Sequence, residues 1–281
     1  MDIDVLGVLE VRENGVSVTP TAPKPRQVLA MLALHADQVV SVAALTEELW
    51  GGNPPRSART TLQTYILQLR EMISSALVSG AAGGESRTAK HILATLPGGY
   101  QLNTFGGSSD VREFERLANL GYRSLDAGDF TAAARQLRDA LALWGSSALA
   151  DVHTGPQLEM QRKRLEEIRL CALDQRIETD LRLGRHRELL GELTVLVSRY
   201  RTHENLHSQL MLALYRSGRR SEALEVYQRL RQALVRELSL EPSAALRRMQ
   251  RSILMAGPEL APTGTSAVTV AVANDRLSRV G

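Results

Sequence analysis

RTTLQTYILQLR, residues 59–70, reads as one helix with two unlike faces. Leu62, Ile66 and Leu69 recur at helical spacing with Tyr65 alongside, the stripe an amphipathic helix buries. The other side carries Thr60, Gln63, Thr64, Leu67 and Gln68, with Arg56, Arg59 and Arg70 at its flanks. No acid stands between Arg56 and Glu71. Amides, hydroxyls and guanidiniums without carboxylates are what a helix needs to meet base edges and phosphates.

The flanking sequence turns this helix into a fold. Upstream, IDVLGVLEV, an ENG turn and VSV, within residues 3–19, predict a small antiparallel sheet. KPRQVLAMLALHADQ (24–38) predicts a first helix, VVS (39–41) a strand, and Ser41 caps a second helix, VAALTEELW, with Glu47 and Glu48 on its outer face. GGNPPRS (51–57) breaks the chain before the quoted helix, which runs to about Leu77. Residues 78–88 are small and flexible in composition, and ILATLPGGYQL (92–102) is a strand, a turn and a returning strand. FGGSSD (105–110) reads as a linker.

Beyond residue 110 the texture becomes nearly continuous helix. AGDFTAAARQLRDAL (127–141), LGRHRELLGELTVL (183–196) and SGRRSEALEVYQRL (217–230) repeat one signal, a glycine turn, a polar pair and an apolar helix. Gly184 and Gly218 stand one tetratricopeptide period apart, with Ala223 and Tyr227 in the small and aromatic slots of a second helix, while Gly128 falls out of step. The tail, residues 256–281, has a disordered composition.

Bulk numbers constrain the function less. The 281 residues suffice for two domains, and 4% aromatic content leaves the core to Leu, Ala and Val. Net charge is +3, but residues 1–105 hold eight Lys and Arg against nine Asp and Glu, so a nucleic-acid role must rest on local charge placement. Cys171 is the only cysteine, which rules out an internal disulfide and suits a reducing cytoplasm. Its neighbours Leu170 and Leu173 predict a buried, inert thiol. No apolar run approaches membrane-spanning length, and the acidic start is no signal peptide.

HENLH (203–207) matches the H-E-x-x-H pattern that binds zinc on a helix. It opens a helix in the repeat region and no further histidine follows as a third ligand, so polar surface around an inward Leu206 is the better reading. His35, His91, His153 and His186 have no partner spacing and read as surface or satisfied histidines. No catalytic constellation is visible, so no enzyme, metal or cofactor is expected.

ELWGGNPPRSARTTLQTYILQLR followed by ATLPGGYQL resembles the response-regulator type of winged helix-turn-helix. DVREFERLANLGYRSLDAGDFTAAARQLRDALALW and the segment from ALYRSGRRSEALEVYQRL to RRMQRSIL resemble the bacterial transcriptional activation domain. Together, over residues 3–255, the chain resembles the Streptomyces antibiotic regulatory proteins, small form. The resemblance implies a mainly α chain with a minor β part: a winged helix-turn-helix over 1–104, then an all-α tetratricopeptide-like repeat domain over 110–255. It implies a cytoplasmic, nucleoid-associated transcription activator of a secondary-metabolite gene cluster, away from membranes. Such an activator binds direct repeats of double-stranded DNA near the promoter −35 element, as a homodimer or tandem protomers, and recruits RNA polymerase holoenzyme. Gln63, Thr64, Leu67 and Gln68 are assigned to bases, and Arg56, Arg59, Thr61, Tyr65 and Arg70 to phosphates. Lys24 and Arg26 are candidates for further phosphate or partner contacts. The wing falls to Lys90, Leu96 and Gly98. The chain departs from the family where many members carry Thr-Arg before the Pro-Gly-Gly-Tyr turn: here the pair is Thr95-Leu96, and Lys90 or Arg87 is left to reach the minor groove. The competing reading is a protein-interaction scaffold whose winged domain does not read DNA.

Overall fold

Asn14 and Gly15 take φ values of 51° and 79°, the two positive angles that a two-residue hairpin turn demands. They join β2 (Glu10–Glu13) to β3 (Val16–Ser17), and β1 (Asp2–Asp4) pairs antiparallel on the other side of β2. The structure, a computed structural model, describes residues 1–79 and 87–256. Most of the segment read as flexible (78–88) and nearly all of the tail lie outside the described residues.

The winged helix-turn-helix follows. Helix α1 (Pro23–Leu34) leads through β4 (Val39–Ser41) into α2 (Val42–Trp50), and then α3 (Ala58–Ser79). The Ser41 hydroxyl accepts the Ala44 N–H at 3.0 Å and starts α2 as expected. A short helix, α4 (Ala89–Ile92), precedes β5 (Leu93–Leu96) and β6 (Gly99–Leu102). The stretch ILATLPGGYQL predicts a strand from Ile92. The His91 Nδ1 accepts the Thr88 N–H at 3.4 Å and helps close a helical turn there instead. The sheet order is β4-β6-β5. At the wing tip Gly98 has φ 82°, while a side chain at Gly99 would sit 2.2 Å from the Val40 carbonyl oxygen, so only glycine lets β4 approach. Val28, Leu29 and Leu32 of α1 pack with Leu45 of α2 and with Leu62 and Ile66 of α3.

The remaining helices are α5 (Asp110–Asp126), α6 (Phe130–Ala142), α7 (Pro156–Arg182), α8 (Leu190–Arg199), α9 (Glu204–Arg216), α10 (Arg220–Leu238) and α11 (Ala244–Met255). Two compact units result. One joins Met1–Tyr122 with Gln136–Ala172; the other joins Arg123–Arg135 with the chain from Leu173 onward. Among the described residues no helix is long and apolar enough to cross a membrane.

In the first unit the segment read as a linker is pinned to β1. Ile3 N–H donates to the Ser108 carbonyl at 3.0 Å, and Ser108 donates back to the Asp2 carboxylate at 2.9 and 2.7 Å. Asp110 then accepts the N–H groups of Val5 and Leu6 at 2.6 and 2.7 Å. Phe114 meets Trp144 edge to face, centroids 5.6 Å apart. Cys171 is exposed, which corrects the expectation of a buried thiol: Leu170 and Leu173 flank it in sequence, but the residue itself turns outward.

The second unit repeats one turn three times. Gly128, Gly184 and Gly218 have φ values of 77°, 80° and 80°. Each donates its N–H three residues back, to Leu125, Leu181 and Tyr215, and the next residue donates five back, to Ser124, Asp180 and Leu214. This pair of bonds is the Schellman closure of a helix end, which wants a left-handed residue. The glycine signals in the sequence are therefore three equivalent helix stops in a tetratricopeptide-like array. Ala223 and Tyr227 of α10 are buried, as their slots predicted.

Candidate nucleic-acid interface

Helix α3 is cut cleanly in two. Ala58, Leu62, Ile66, Leu69, Ile73 and Ala76 are buried at spacings of three or four, so one stripe faces the core. The Pro54–Pro55 turn starts the helix, with Ala58 N–H donating to the Pro55 carbonyl at 2.9 Å. Gln63, Thr64, Leu67 and Gln68 are all exposed and share the opposite face. Leu67 is 57% exposed, a large apolar group held in water with no core to enter. Thr64 donates its hydroxyl proton to the Thr60 carbonyl at 3.1 Å. It therefore offers outward a methyl group and lone pairs, and no donor.

Arg56 and Arg59 are exposed at the N-terminal end of this face. Thr61 and Tyr65 are half-buried beside it. Arg70 is turned towards the wing: its Nε and Nη2 donate to the Leu93 carbonyl at 3.0 and 2.7 Å, and Nη2 also meets the Thr95 hydroxyl at 2.7 Å. Because β5 is an edge strand, this guanidinium satisfies a carbonyl and ties the wing to α3. Gly98 stands exposed at the wing tip, Leu96 is half-buried, and Lys90 is exposed on α4. The Arg87 guanidinium lies over the Phe105 ring at 5.1 Å.

Two cations expected to reach outward face inward. Lys24 Nζ donates to the Leu49 carbonyl at 2.5 Å, closing the C-terminal end of α2. Arg26 donates to the carbonyls of Pro20 and Leu9 and pairs with the Asp151 carboxylate. Burial lowers the Arg26 pKa. Both lie beside buried elements whose orphan carbonyls need donors, which their position at a helix start did not reveal.

Glu48 is the residue that sequence reasoning misplaced most. The sequence predicts an outer-face position on α2, but Glu48 is 2% exposed. Its carboxylate accepts Gln27 Nε2 at 2.7 Å, Gly155 N–H at 2.5 Å, and the N–H groups of Gln157 and Leu158 at 2.9 Å each. It thus caps α7, where anionic charge is favoured by the helix dipole. The signal was present: Leu45, Glu48 and Leu49 occupy one stripe at i, i+3, i+4.

The H-E-x-x-H segment has another role in this fold. His203 Nδ1 accepts the Leu206 N–H at 3.3 Å as the N-cap of α9, and His207 is buried with Nδ1 bonded to the His203 carbonyl at 3.0 Å. Glu204 accepts the Ser243 N–H at 3.2 and 3.0 Å. Among the described residues no group of three His, Cys, Asp or Glu is placed to hold a metal ion.

Comparison with known proteins agrees with this architecture. A family model for the bacterial transcriptional activator domain matches residues 109–254, and one for the C-terminal domain of transcriptional regulatory proteins matches residues 17–82. The chain is 50% identical to the regulatory protein DnrI of Streptomyces peucetius over 276 residues, 97% of this chain and 100% of DnrI. It is 35% identical to the regulatory protein AfsR of Streptomyces coelicolor over 97% of this chain, but spans 26% of AfsR. Among solved structures, Mycobacterium tuberculosis EmbR in complex with a low-affinity phosphopeptide superposes with a TM-score of 0.80 at 30% identity, covering 92% of this chain and 65% of that one. With matching domains in the same order and half of its residues shared with DnrI over nearly its whole length, the chain belongs to the Streptomyces antibiotic regulatory protein family of transcriptional regulators.

Proposed function

We propose that this regulator is a sequence-specific DNA-binding activator of a secondary-metabolite, antibiotic-type gene cluster, binding promoter direct repeats near the −35 element as a homodimer or as tandem protomers and recruiting RNA polymerase holoenzyme from the cytoplasm. The observation that carries the DNA reading is the outward face of α3. Its exposed side chains from Arg59 to Gln68 are amides, hydroxyls, one leucine and an arginine, with no carboxylate. That run is about 13 Å long, enough to cross three or four base pairs in a major groove about 12 Å wide.

The roles divide by chemistry. Gln63 and Gln68 suit adenine, which offers a donor and an acceptor side by side; Leu67 and the Thr64 methyl suit thymine methyl groups. Arg56 and Arg59 sit where phosphates pass, flanked by Thr61 and Tyr65. Arg70 aims Leu96 and Gly98 of the wing by holding β5, and Lys90 supplies charge on the wing's side. Residues 1–104 act as the DNA-binding domain and residues 110–255 as the effector domain. Binding is salt-sensitive, because each neutralised phosphate releases counterion.

The test is fluorescence anisotropy of the full chain against promoter fragments from its own gene neighbourhood. A scrambled fragment and the Gln63→Ala/Gln68→Ala variant run beside it, at two salt concentrations. Tight, salt-sensitive binding to one native fragment, lost in the variant, supports base reading. Equal weak binding to every fragment supports the scaffold reading, which the slight acidic excess of residues 1–105 favours.

A further inference from the structure

Helix α11 carries Arg247, Arg248 and Arg251 within two turns and no acidic residue. Leu246 and Ile253 are buried, which fixes its inward side, and the three arginines are exposed. A cleft of about 360 Å³ opens beside them, lined by Tyr227 of α10 and by Ala244, Arg247, Arg248, Gln250 and Arg251 of α11.

The cations of this cleft are uncompensated. Among the described residues no carboxylate pairs with Arg247, Arg248 or Arg251. The acids nearest in sequence are already engaged: Glu241 by Arg231 at 2.8 and 2.9 Å, and Glu237 by Arg236 at 3.3 Å. Glu204, which reaches the start of α11, accepts the Ser243 N–H. At the other end Arg220 donates to the Leu254 carbonyl and brings a further positive charge. Like charges at i and i+4 destabilise a helix, so grouping Arg247 with Arg251 costs stability in the free protein, and a bound anion offsets it.

The winged domain is short of the cations that DNA binding uses. Residues 1–105 hold eight Lys and Arg against nine Asp and Glu. Of those cations Arg12, Lys24, Arg26 and Arg70 are spent on carbonyls or carboxylates within it. The surplus lies in residues 106–281, with 26 Lys and Arg against 22 Asp and Glu.

From this we infer that the exposed side of α11 is a second, sequence-independent DNA contact, in which Arg247, Arg248 and Arg251 take phosphodiester oxygens of a duplex backbone and Gln250 adds an amide donor. The planar fork of a guanidinium matches phosphate oxygens in pairs. An acidic protein fits worse. Protein interfaces centre on apolar anchors, whereas the apolar lining of this cleft is Ala244 and the nearly buried Tyr227, and the exposed Leu254 and Met255 lie about a turn beyond the arginines. A small phosphorylated ligand also fits worse, because the guanidiniums spread over about 6 Å of helix axis instead of closing round one group. The inference rests on the reading of the chain as a DNA binder, and its test separates it from base reading by α3.

Fluorescence anisotropy of the full chain is measured on a native promoter fragment and on a random-sequence duplex of equal length, at several salt concentrations around about 0.1 M. Arg247→Gln/Arg248→Gln/Arg251→Gln should weaken both duplexes alike, by about tenfold or more, and reduce the log–log salt slope by about two to three. Each single change should reduce it by about one. Arg116→Gln/Arg182→Gln/Arg219→Gln removes the same charge from arginines already paired with Glu113, Glu178 and Glu222, and should stay within about twofold. An unchanged slope in the triple and single α11 variants overturns the proposal, as does an equal loss in the paired-arginine control, which would mean attraction by net charge alone. If the native fragment is not preferred over the random duplex, the α3 reading fails, while loss of random-duplex binding in the α11 variants still upholds this one. Poly-glutamate displacing the duplex as well as unlabelled duplex does would overturn the proposal in favour of an acidic protein. Displacement by micromolar inorganic pyrophosphate would overturn it in favour of a small phosphorylated ligand. Circular dichroism of each variant separates lost binding from lost fold.

Discussion

Glu48 Oε2 accepts the Leu158 N–H at 2.9 Å, across 110 residues of sequence. A side chain of the winged fold's second helix thereby caps α7, and with Gly155 and Gln157 it gathers three backbone donors on one buried carboxylate. Glu48→Ala orphans all three, while the Gln27 amide keeps its bond to the Glu48 backbone carbonyl at 2.9 Å. Each unsatisfied buried donor costs about 1–3 kcal/mol, so the variant should lose about 3 kcal/mol or more. In the urea or thermal unfolding of the full chain, a change below about 0.5 kcal/mol would mean that solvent replaces the cap.

Base and phosphate contacts on α3 should separate by salt. Gln63→Ala and Gln68→Ala should each cost about 1–3 kcal/mol on the native site and relax preference at one base position, with the salt slope unchanged. Arg59→Ala should weaken all sequences alike and reduce the log–log salt slope by about one. Reversed behaviour of the two kinds of variant, in anisotropy at several salt concentrations, would show that the assignments are exchanged.

Arg70 makes a sharper case, since it holds Leu93 and Thr95 while lying beside the proposed interface. Arg70→Met keeps an unbranched stem and removes the wing tie. The expected outcome is weaker DNA binding with an unaltered salt slope, because the guanidinium acts by aiming the wing. A slope reduced by about one would instead make it a direct phosphate contact.

Two glycines should fail for different reasons. Gly218→Ala meets open space, but its φ of 80° is left-handed, so the cost is backbone strain of about 1–2 kcal/mol, smaller for Gly218→Asn. Gly99→Ala must push against the Val40 carbonyl oxygen, 2.2 Å from the new carbon, and should cost more and loosen the wing. Chemical denaturation of the three variants ranks them; equal costs would contradict the geometry.

His207 makes stability depend on pH. Burial lowers its pKa in the folded chain, with the charges of His203 and Arg229 adding to the effect against a bond to the His203 carbonyl. An unfolded histidine titrates near about 6.5, so below that pH the unfolded chain binds the extra proton first. The contribution is present above about 6.5 and is lost as pH falls towards the lowered folded value. Urea unfolding at stepped pH should show this decline, and His207→Gln should flatten it. An identical pH profile in the variant would place the dependence elsewhere, with His186, also lowered by burial, as the next group to test.

Much of this molecule was legible in the sequence because it is set by local periodicity. The alternation of buried and exposed residues in α3, the Asn14–Gly15 and Pro97–Gly98 turns, the Ser41 cap and the three glycine helix stops each depend on a few neighbouring residues, and each appears where those residues stand. The family resemblance followed from the order of these local signals. What the tertiary structure alone decided concerns polar groups whose partners are distant in sequence. Glu48 sits on an apolar stripe, but only the arrival of the α7 N-terminus, more than a hundred residues on, makes burying its charge favourable. Arg26 needed Asp151, Arg70 needed the edge of β5, and Cys171 lies exposed despite its leucine neighbours. A charged side chain enters the interior only when donors or acceptors converge on it, and that convergence is a property of three-dimensional packing that no window of sequence contains.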